Sequence, residues 1–392
     1  MQNFEIQTPT KLVFGKNTQH QIGELIKPFA KKVLLHYGGG SVKKIGLYDD
    51  TKKSLEAAGI SFVELGGVVP NPRLSLVYEG IELCKKEGVD FVLAIGGGSA
   101  IDSAKAIAVG VKHEGDVWDI YDDKAQITAA LPMAVILTIP AAGSEMSGNS
   151  VVTNEKLGRK YGMGSDLIRP VVAIVNPEYF TSLPLAQLGY GVADIMSHIF
   201  ERYFTQTTKC DITDGMCESI LRGVMKNALL CAEDMSDYDA WAEVGLGGII
   251  AHNGWLGIGR AQDWACHGME HELSAYNDVA HGAGLAVLTP AWMKYVYKEN
   301  INMFVQFAVN VMGVTQSFRE PDEIVLEGIS RLEEFYKKIG LVLTLSELNI
   351  QEPAFEDMAK KATGAYFGDE HGIGGFKKLM WQDVVNIFKL CK

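Results

Sequence analysis

Cysteine is scarce in this chain, and its spacing follows no framework. The six thiols, at 84, 210, 217, 231, 266 and 391, form no CxxC pair, which argues against a disulfide scaffold and a zinc ribbon. Basic charge is also in short supply: 36 Lys and Arg against 48 Asp and Glu leave a formal net charge of -12. A surface that displaces counterions from nucleic acid needs the opposite balance, so no nucleic-acid partner is expected. No uncharged apolar run approaches the roughly 18 residues that a membrane helix requires, so no membrane partner is expected either. The opening MQNFEIQTPTKL lacks the basic region and apolar stretch of a secretory signal. Together these absences predict a cytoplasmic protein with reduced thiols.

What is present suits a large soluble enzyme. A length of 392 residues, 47% hydrophobic and 21% charged, is enough for two domains with buried cores. The first part alternates. Strand-like runs at Lys32–Tyr37, Ile60–Leu65, Phe91–Ile95, Met133–Ile139 and Val171–Val175 are separated by helical patterns, with further short strands around Phe4, Ile6 and Leu12–Phe14. Alternating strands and helices predict a parallel sheet covered on both faces. After Leu183 the texture becomes helical, opening at Pro184. The expected organisation is therefore α/β plus all-α, with a Rossmann-like parallel-sheet domain over 1–183 and a helical domain over 184–392.

The helical half holds a concentration of metal-ligand residue types. Asp194 and His198 are four apart in a run whose apolar residues Leu188, Val192, Ile195 and Ile199 recur at helical spacing, so both project from one face. His267 and His271 repeat that spacing, and His281 follows beside Gly282. A lone histidine on an apolar helix face is ordinarily a hydrogen-bonded core residue. Here five of the nine histidines fall between 198 and 281. One carboxylate and three imidazoles from separate helices can converge on Zn(II) or Fe(II). Cys266 points about 100° away from His267 on a helix and is not counted as a ligand.

The sheet half holds two glycine turns, YGGGS at 37–41 and GGGSAIDSAK at 96–105. A strand ending in glycines and leading into a helix brings backbone amides and a positive dipole end to a phosphate. Neither turn is a P-loop, and neither is GxGxxG in its usual setting. Two on one parallel sheet favour a dinucleotide over plain tight turns. The first turn has no carboxylate to receive a ribose 2′-hydroxyl. Gly38, Gly39, Ser41, Lys43 and Lys44 stand there instead, which favours the 2′-phosphate of NADP(H).

The combination closely resembles the iron-containing (group III) alcohol dehydrogenases over almost the whole chain. It looks nearest to the family's NADP(H)-dependent butanol dehydrogenases and broad-range aldehyde reductases. The resemblance rests on YGGGSVKK at 37–44, PNP at 70–72, GGGSAIDSAK at 96–105 and T-x-P-x-x-GSE at 138–145. The Asp194/His198 pair and H-x3-H-x9-HG from His267 to Gly282 complete it. It implies that Asp194, His198, His267 and His281 bind the metal, Fe(II) or Zn(II), while His271 lies near the nicotinamide and can relay a proton. Gly97, Gly98, Ser99 and Asp102 would serve the pyrophosphate and nicotinamide side, with Asn71, Thr138, Ser147 and Lys160 lining the cofactor cleft. A homodimer acting on short-chain alcohols and aldehydes is implied as well. One departure is Ala141-Ala142, where many relatives carry threonines.

Three rival readings use the same residues. His267-Gly-Met-Glu270-His271 spells the H-x-x-E-H of one metallopeptidase class, but leaves Asp194, His198 and both glycine turns idle. NAD-linked relatives, such as glycerol or 1,2-propanediol dehydrogenases, or a dehydroquinate-synthase-like lyase, share the architecture. A non-catalytic sensor would bind NADPH without turnover.

Overall fold

The computed structural model describes residues 1–392, the side chain of Phe367 apart. The chain divides into two compact units, Gln7–Leu183 and Met1–Ile6 with Pro184–Lys392.

The first unit is built on a six-stranded, all-parallel sheet. Its strands are β1 (Lys11–Phe14), β2 (Lys32–Tyr37), β3 (Ser61–Leu65), β4 (Phe91–Gly96), β5 (Met133–Leu137) and β8 (Val172–Val175), in the order β1-β8-β5-β4-β2-β3. Its helices are α1 (Ile22–Ile26), α2 (Ser41–Lys44), α3 (Leu47–Ala57), α4 (Leu74–Glu87), α5 (Gly98–Lys112) and α6 (Trp118–Tyr121). The central strands read as continuous apolar runs because both faces are covered. Val33, Leu35, Phe91, Leu93, Ile95, Ile136 and Ile174 are all fully buried. Burial of each such side chain stabilises by roughly 1.5–3 kcal/mol.

The strand order decides where a ligand can sit. From β2 the chain moves outward to β3, then returns to lay β4 on the other side of β2. The reversal leaves a crevice at the carboxyl ends of β2 and β4, where doubly wound sheets bind nucleotides. Both glycine turns emerge there, directly after Tyr37 and Gly96.

Two features depart from the sequence reading. The first is an antiparallel hairpin of β6 (Asn149–Asn154) and β7 (Arg159–Gly164) that periodicity did not reveal. Its strands are rich in polar residues and glycine, and their large apolar residues are confined to Val151, Val152, Tyr161 and Met163, so they carry little apolar alternation. The second concerns the N-terminus. Met1–Ile6 belongs with the helical unit, where the Met1 amino group donates to Thr208 O (3.1 Å) and the Gln2 amide to Gly259 O (2.7 Å), and no strand forms around Phe4.

The second unit is helical: α7 (Leu185–Tyr203), α8 (Asp211–Glu233), α9 (Tyr238–His252), α10 (Ala265–Asn277), α11 (His281–Val296), α12 (Ile301–Asn310), α13 (Pro321–Lys338), α14 (Phe355–Ala362) and α15 (Trp381–Leu390). Helix α7 is buried on nearly every side from Leu188 onward, polar residues included. Glycine lets α11 approach it: a Cβ at Gly282 would stand 2.0 Å from Tyr190 O. Among the described residues no helix is long and apolar enough to cross a membrane.

Candidate metal centre and dinucleotide turns

Three helices carry the histidine cluster. Asp194 and His198 face the same way on α7. Trp264 and Asp278, both in the left-handed region (φ 69° and 49°), bound α10 and thereby set where His267 points. The carboxylate of Asp263 accepts from the Ala265 amide (3.1 Å) and fastens the start of that helix. His281 opens α11.

The side chains meet around one oxygen. His198 Nδ1 lies 3.2 Å from Asp194 Oδ1, and the Nε2 atoms of His267 and His281 each lie 3.8 Å from it. One ligand atom from each of Asp194, His267 and His281 falls within 4.8 Å of the others. His198 stands outside that trio but in contact with it, its ring centroid 4.6 Å from that of His267. Two ligand atoms about 2.0–2.1 Å from a shared ion lie no more than about 4.2 Å apart, and the 3.2 and 3.8 Å separations from Asp194 Oδ1 meet that limit.

Hydrogen bonding supports the same use. Asp194 Oδ1, His198 Nδ1 and His267 Nε2 are buried and have no hydrogen-bond partner. Three orphaned buried polar atoms in one place are costly unless something binds them, and a divalent cation would satisfy all three. The far side of two of the rings is anchored. His267 Nδ1 donates to Glu201, and His281 Nδ1 donates to Glu270, which also accepts from Ser274 Oγ. A carboxylate on Nδ1 fixes the tautomer and leaves the Nε2 lone pair for a metal. The donor set therefore fits Fe(II) or Zn(II).

Electrostatics agree. Burial alone would push His267 down, but the Glu201 and Asp194 carboxylates outweigh it and raise the imidazole to about 9. Those carboxylates stabilise positive charge at the ring, and a metal ion bound at Nε2 would take the place of that proton. Burial, together with the neighbouring imidazoles of His252 and His267, drives His198 well below its ordinary value, leaving it neutral and able to ligate.

Several participants went unseen in the sequence. Glu201 is one; it lies seven residues beyond Asp194 on the same face of α7, and that spacing could have revealed it. His252, 4.1 Å from the His198 ring between centroids, accepts at Nδ1 from Arg202 (3.1 Å). Trp264 covers His267 (5.2 Å) and takes the Arg202 guanidinium on its face (4.7 Å). His271 is half-buried, its ring 6.0 Å from that of His281. The metallopeptidase reading fails on Glu270, which is fully buried and committed to His281 and Ser274.

In the α/β unit, Gly97 caps α5, and the first intrahelical bonds run from Ala100 and Ile101 to Gly97 O, leaving the Gly98 and Ser99 amides at the helix start. Gly38 is half-buried, whereas Gly39, Ser41 and Lys44 are exposed beside it. Thr138 follows β5, its amide on Gly96 O (3.0 Å). Asn71 is buried in the left-handed region (φ 52°), which asparagine tolerates. The missed hairpin carries Lys160, opposite Thr153, and Thr153 donates to Pro72 O (2.8 Å), next to Asn71. Ser147 is buried, and Asp102 holds Ser144 Oγ (2.6 Å) and the Val151 amide (3.0 Å). These bonds tie Asp102 to the segment that follows β5.

A parallel sheet with nucleotide turns and a helical metal centre define a metal-dependent, nicotinamide-linked oxidoreductase, and comparison with known proteins agrees. Residues 9–177 match the family described as iron-containing alcohol dehydrogenase, and residues 190–391 match the C-terminal part of the Fe-containing alcohol dehydrogenase family. An NADH-dependent butanol dehydrogenase A of Clostridium acetobutylicum is 43% identical over 390 residues, 99% of each chain. An NADPH-dependent aldehyde reductase of Escherichia coli is 32% identical over 376 residues, 95% of this chain and 94% of that one. The crystal structure of an NADH-dependent butanol dehydrogenase A from Thermotoga maritima superposes with a TM-score of 0.95 at 43% identity, covering 100% of this chain and 99% of the other. This chain belongs to the iron-containing alcohol dehydrogenase family. It is an alcohol and aldehyde oxidoreductase that uses a divalent metal and a pyridine nucleotide.

Proposed function

We propose that the protein interconverts short-chain primary alcohols, butanol among them, and their aldehydes, with NADP(H) as hydride carrier. The observation that carries this reading is the set of orphaned buried atoms around Asp194 Oδ1, backed by Glu201 and Glu270. Asp194, His198, His267 and His281 are the residues that would hold the cation. A bound Fe(II) or Zn(II) would polarise an aldehyde carbonyl and make an alcohol hydroxyl more acidic, while the dinucleotide would give or take the hydride.

The chain's own residues do the rest. Glu201 and Glu270 keep two imidazoles oriented, and Trp264 shields His267 from water. His271, beside His281, would pass the hydroxyl proton to solvent through its ring nitrogens. Gly97, Gly98 and Ser99 would receive the pyrophosphate at the start of α5. Asn71, Thr138, Ser147 and Lys160 would flank the nicotinamide half, and Gly38, Gly39, Ser41 and Lys44 the adenosine half.

The preference for NADP(H) rests on the first glycine turn, which offers small residues and cations in place of a carboxylate. A second reading, NAD(H), has an observation in its favour. Lys43 rests on the tyrosine rings of Tyr48 (4.6 Å) and Tyr37 (5.3 Å), whose hydroxyls both bind Glu64, so its charge is partly matched. The NADH-dependent names of the 43%-identical relatives favour it too. A cytoplasmic homodimer completes the proposal.

The test is oxidation of each reduced nicotinamide with a panel of aldehydes, on protein reloaded with Fe(II) or Zn(II). Butanal reduction that is faster with NADPH is expected. Turnover with no aldehyde of the panel would reject the enzyme reading, and a preference for NADH would reject the cofactor assignment alone.

A further inference from the structure

The motif GGGSAIDSAK ends on a lysine. Lys105 lies two turns into α5 and is fully buried. Its ammonium donates to Ser144 O (2.7 Å), Ser147 O (2.9 Å) and Asn149 O (2.7 Å), with Ser144 Oγ (2.8 Å) and Ser147 Oγ (3.3 Å) also in reach. No carboxylate comes within ion-pair distance of it among the described residues. A buried cation ringed by carbonyls is an expensive way to fill space, since an apolar side chain would fill it without a charge to desolvate. Burial pushes the ammonium down to about 8, against the opposing pull of Asp102 and Glu145.

What the ring immobilises is the segment between β5 and β6. The other end of that segment rests on the second glycine turn: a Cβ at Gly97 would stand 3.1 Å from Ile139 Cβ, and one at Gly98 would stand 3.0 Å from Ala142 Cβ. Asp102, one turn nearer the start of α5, adds its bonds to Ser144 Oγ and the Val151 amide. One helix therefore presents its first amides at 98 and 99 and also anchors the loop lying against them. Ser103 of the same helix donates to His36 Nε2 (2.9 Å), fixing β2 as well.

We infer that Lys105 is a positioning residue for the dinucleotide: it sets the 139–149 loop against the Gly97–Ser99 turn, so cofactor affinity depends on it while metal binding does not. The inference rests on the reading that this turn takes the dinucleotide phosphates. The variant Lys105→Met keeps the length of the side chain and removes every donor. Fluorescence titration should show the Kd for NADPH and for NADH raised at least about tenfold, because the loop loses the lysine's hydrogen bonds to Ser144 O, Ser147 O and Asn149 O. The KM for the dinucleotide should rise more than the KM for aldehyde, and metal content should stay at the wild-type level. A merely structural lysine predicts a lower Tm with an unchanged dinucleotide Kd, and that result would overturn the inference. Should Lys105→Met fail to fold, Ser144→Ala removes only the hydroxyl shared by Asp102 and Lys105. About threefold weaker dinucleotide binding is then expected, and wild-type affinity would overturn the inference. Wild-type protein that binds neither dinucleotide would instead defeat the reading beneath it.

Discussion

The two units prepare their sites by opposite means. The helical unit buries side chains that must be satisfied from outside: an aspartate oxygen and two imidazole nitrogens are left without partners, and carboxylates hold two of the rings from behind. In the α/β unit the buried polar side chains around the start of α5 are satisfied by the protein itself. Lys105, Asp102, Ser103 and His36 all bond to the protein, and what remains to offer a ligand is mostly backbone at glycine turns. A centre of the first kind depends on its ion and should change greatly when a ligand is lost. A centre of the second kind is formed in advance, and single changes should tune it.

The largest effect is therefore expected at a metal ligand. His267→Ala should leave metal below detection and lower aldehyde reduction by at least about a thousandfold, equivalent to several kcal/mol of lost electrostatic assistance. Metal analysis and steady-state rates check both halves. An active, metal-free variant would remove His267 from the ligand set.

Next in size is an acid effect in the α/β unit. His36 donates from Nδ1 to Leu65 O (2.8 Å) and accepts at Nε2 from Ser103, and burial lowers it from 6.5 to about 4. The unfolded chain thus binds the proton first. The stability is present above the unfolded value and is lost as pH falls from 6.5 toward 4, amounting to about 3 kcal/mol. Urea midpoints at both ends of that window should differ less in His36→Gln than in the wild type. Equal pH dependence in the two proteins would show that His36 is not the cause.

Glu201→Gln weakens the hold on His267 without removing a ligand. Metal affinity should fall about 10–100-fold with the helical content unchanged. Affinity at the wild-type level would mean that the imidazole needs no anchor. The smallest change belongs to the glycine turn. A Cβ at Gly39 meets nothing within 4 Å, so Gly39→Asp introduces a charge without a clash. The ratio of kcat/KM for NADH over NADPH should rise about tenfold. A fixed ratio would mean that the 2′ position is read elsewhere.

The same contrast explains what could be read from the residues alone. The parallel sheet was legible because doubly covered strands read as apolar runs, and the histidine cluster because few other duties gather Asp and His at helical spacing. The hairpin that carries Lys160 was not legible, since Gly, Asn and Thr alternate nothing that burial can use. Glu201 stayed hidden because a glutamate on a helix is ordinarily a solvated one, although its spacing from Asp194 places the two on one face of α7. Nothing in the sequence sets Lys105 apart within GGGSAIDSAK, and Lys43 counts there only as a cation; the fold brings Ser144 and Asn149 to the first and the rings of Tyr37 and Tyr48 to the second.

The central claim is that a divalent cation on Asp194, His198, His267 and His281 is required for hydride exchange with the nicotinamide. Chelated protein titrated with Fe(II) or Zn(II), while NADPH oxidation by butanal is followed, tests it directly. Activity should start near zero, rise in proportion to added metal and level off at one equivalent per chain, as the one cluster found among the described residues requires. Full activity in the chelated protein before any metal is added would contradict it.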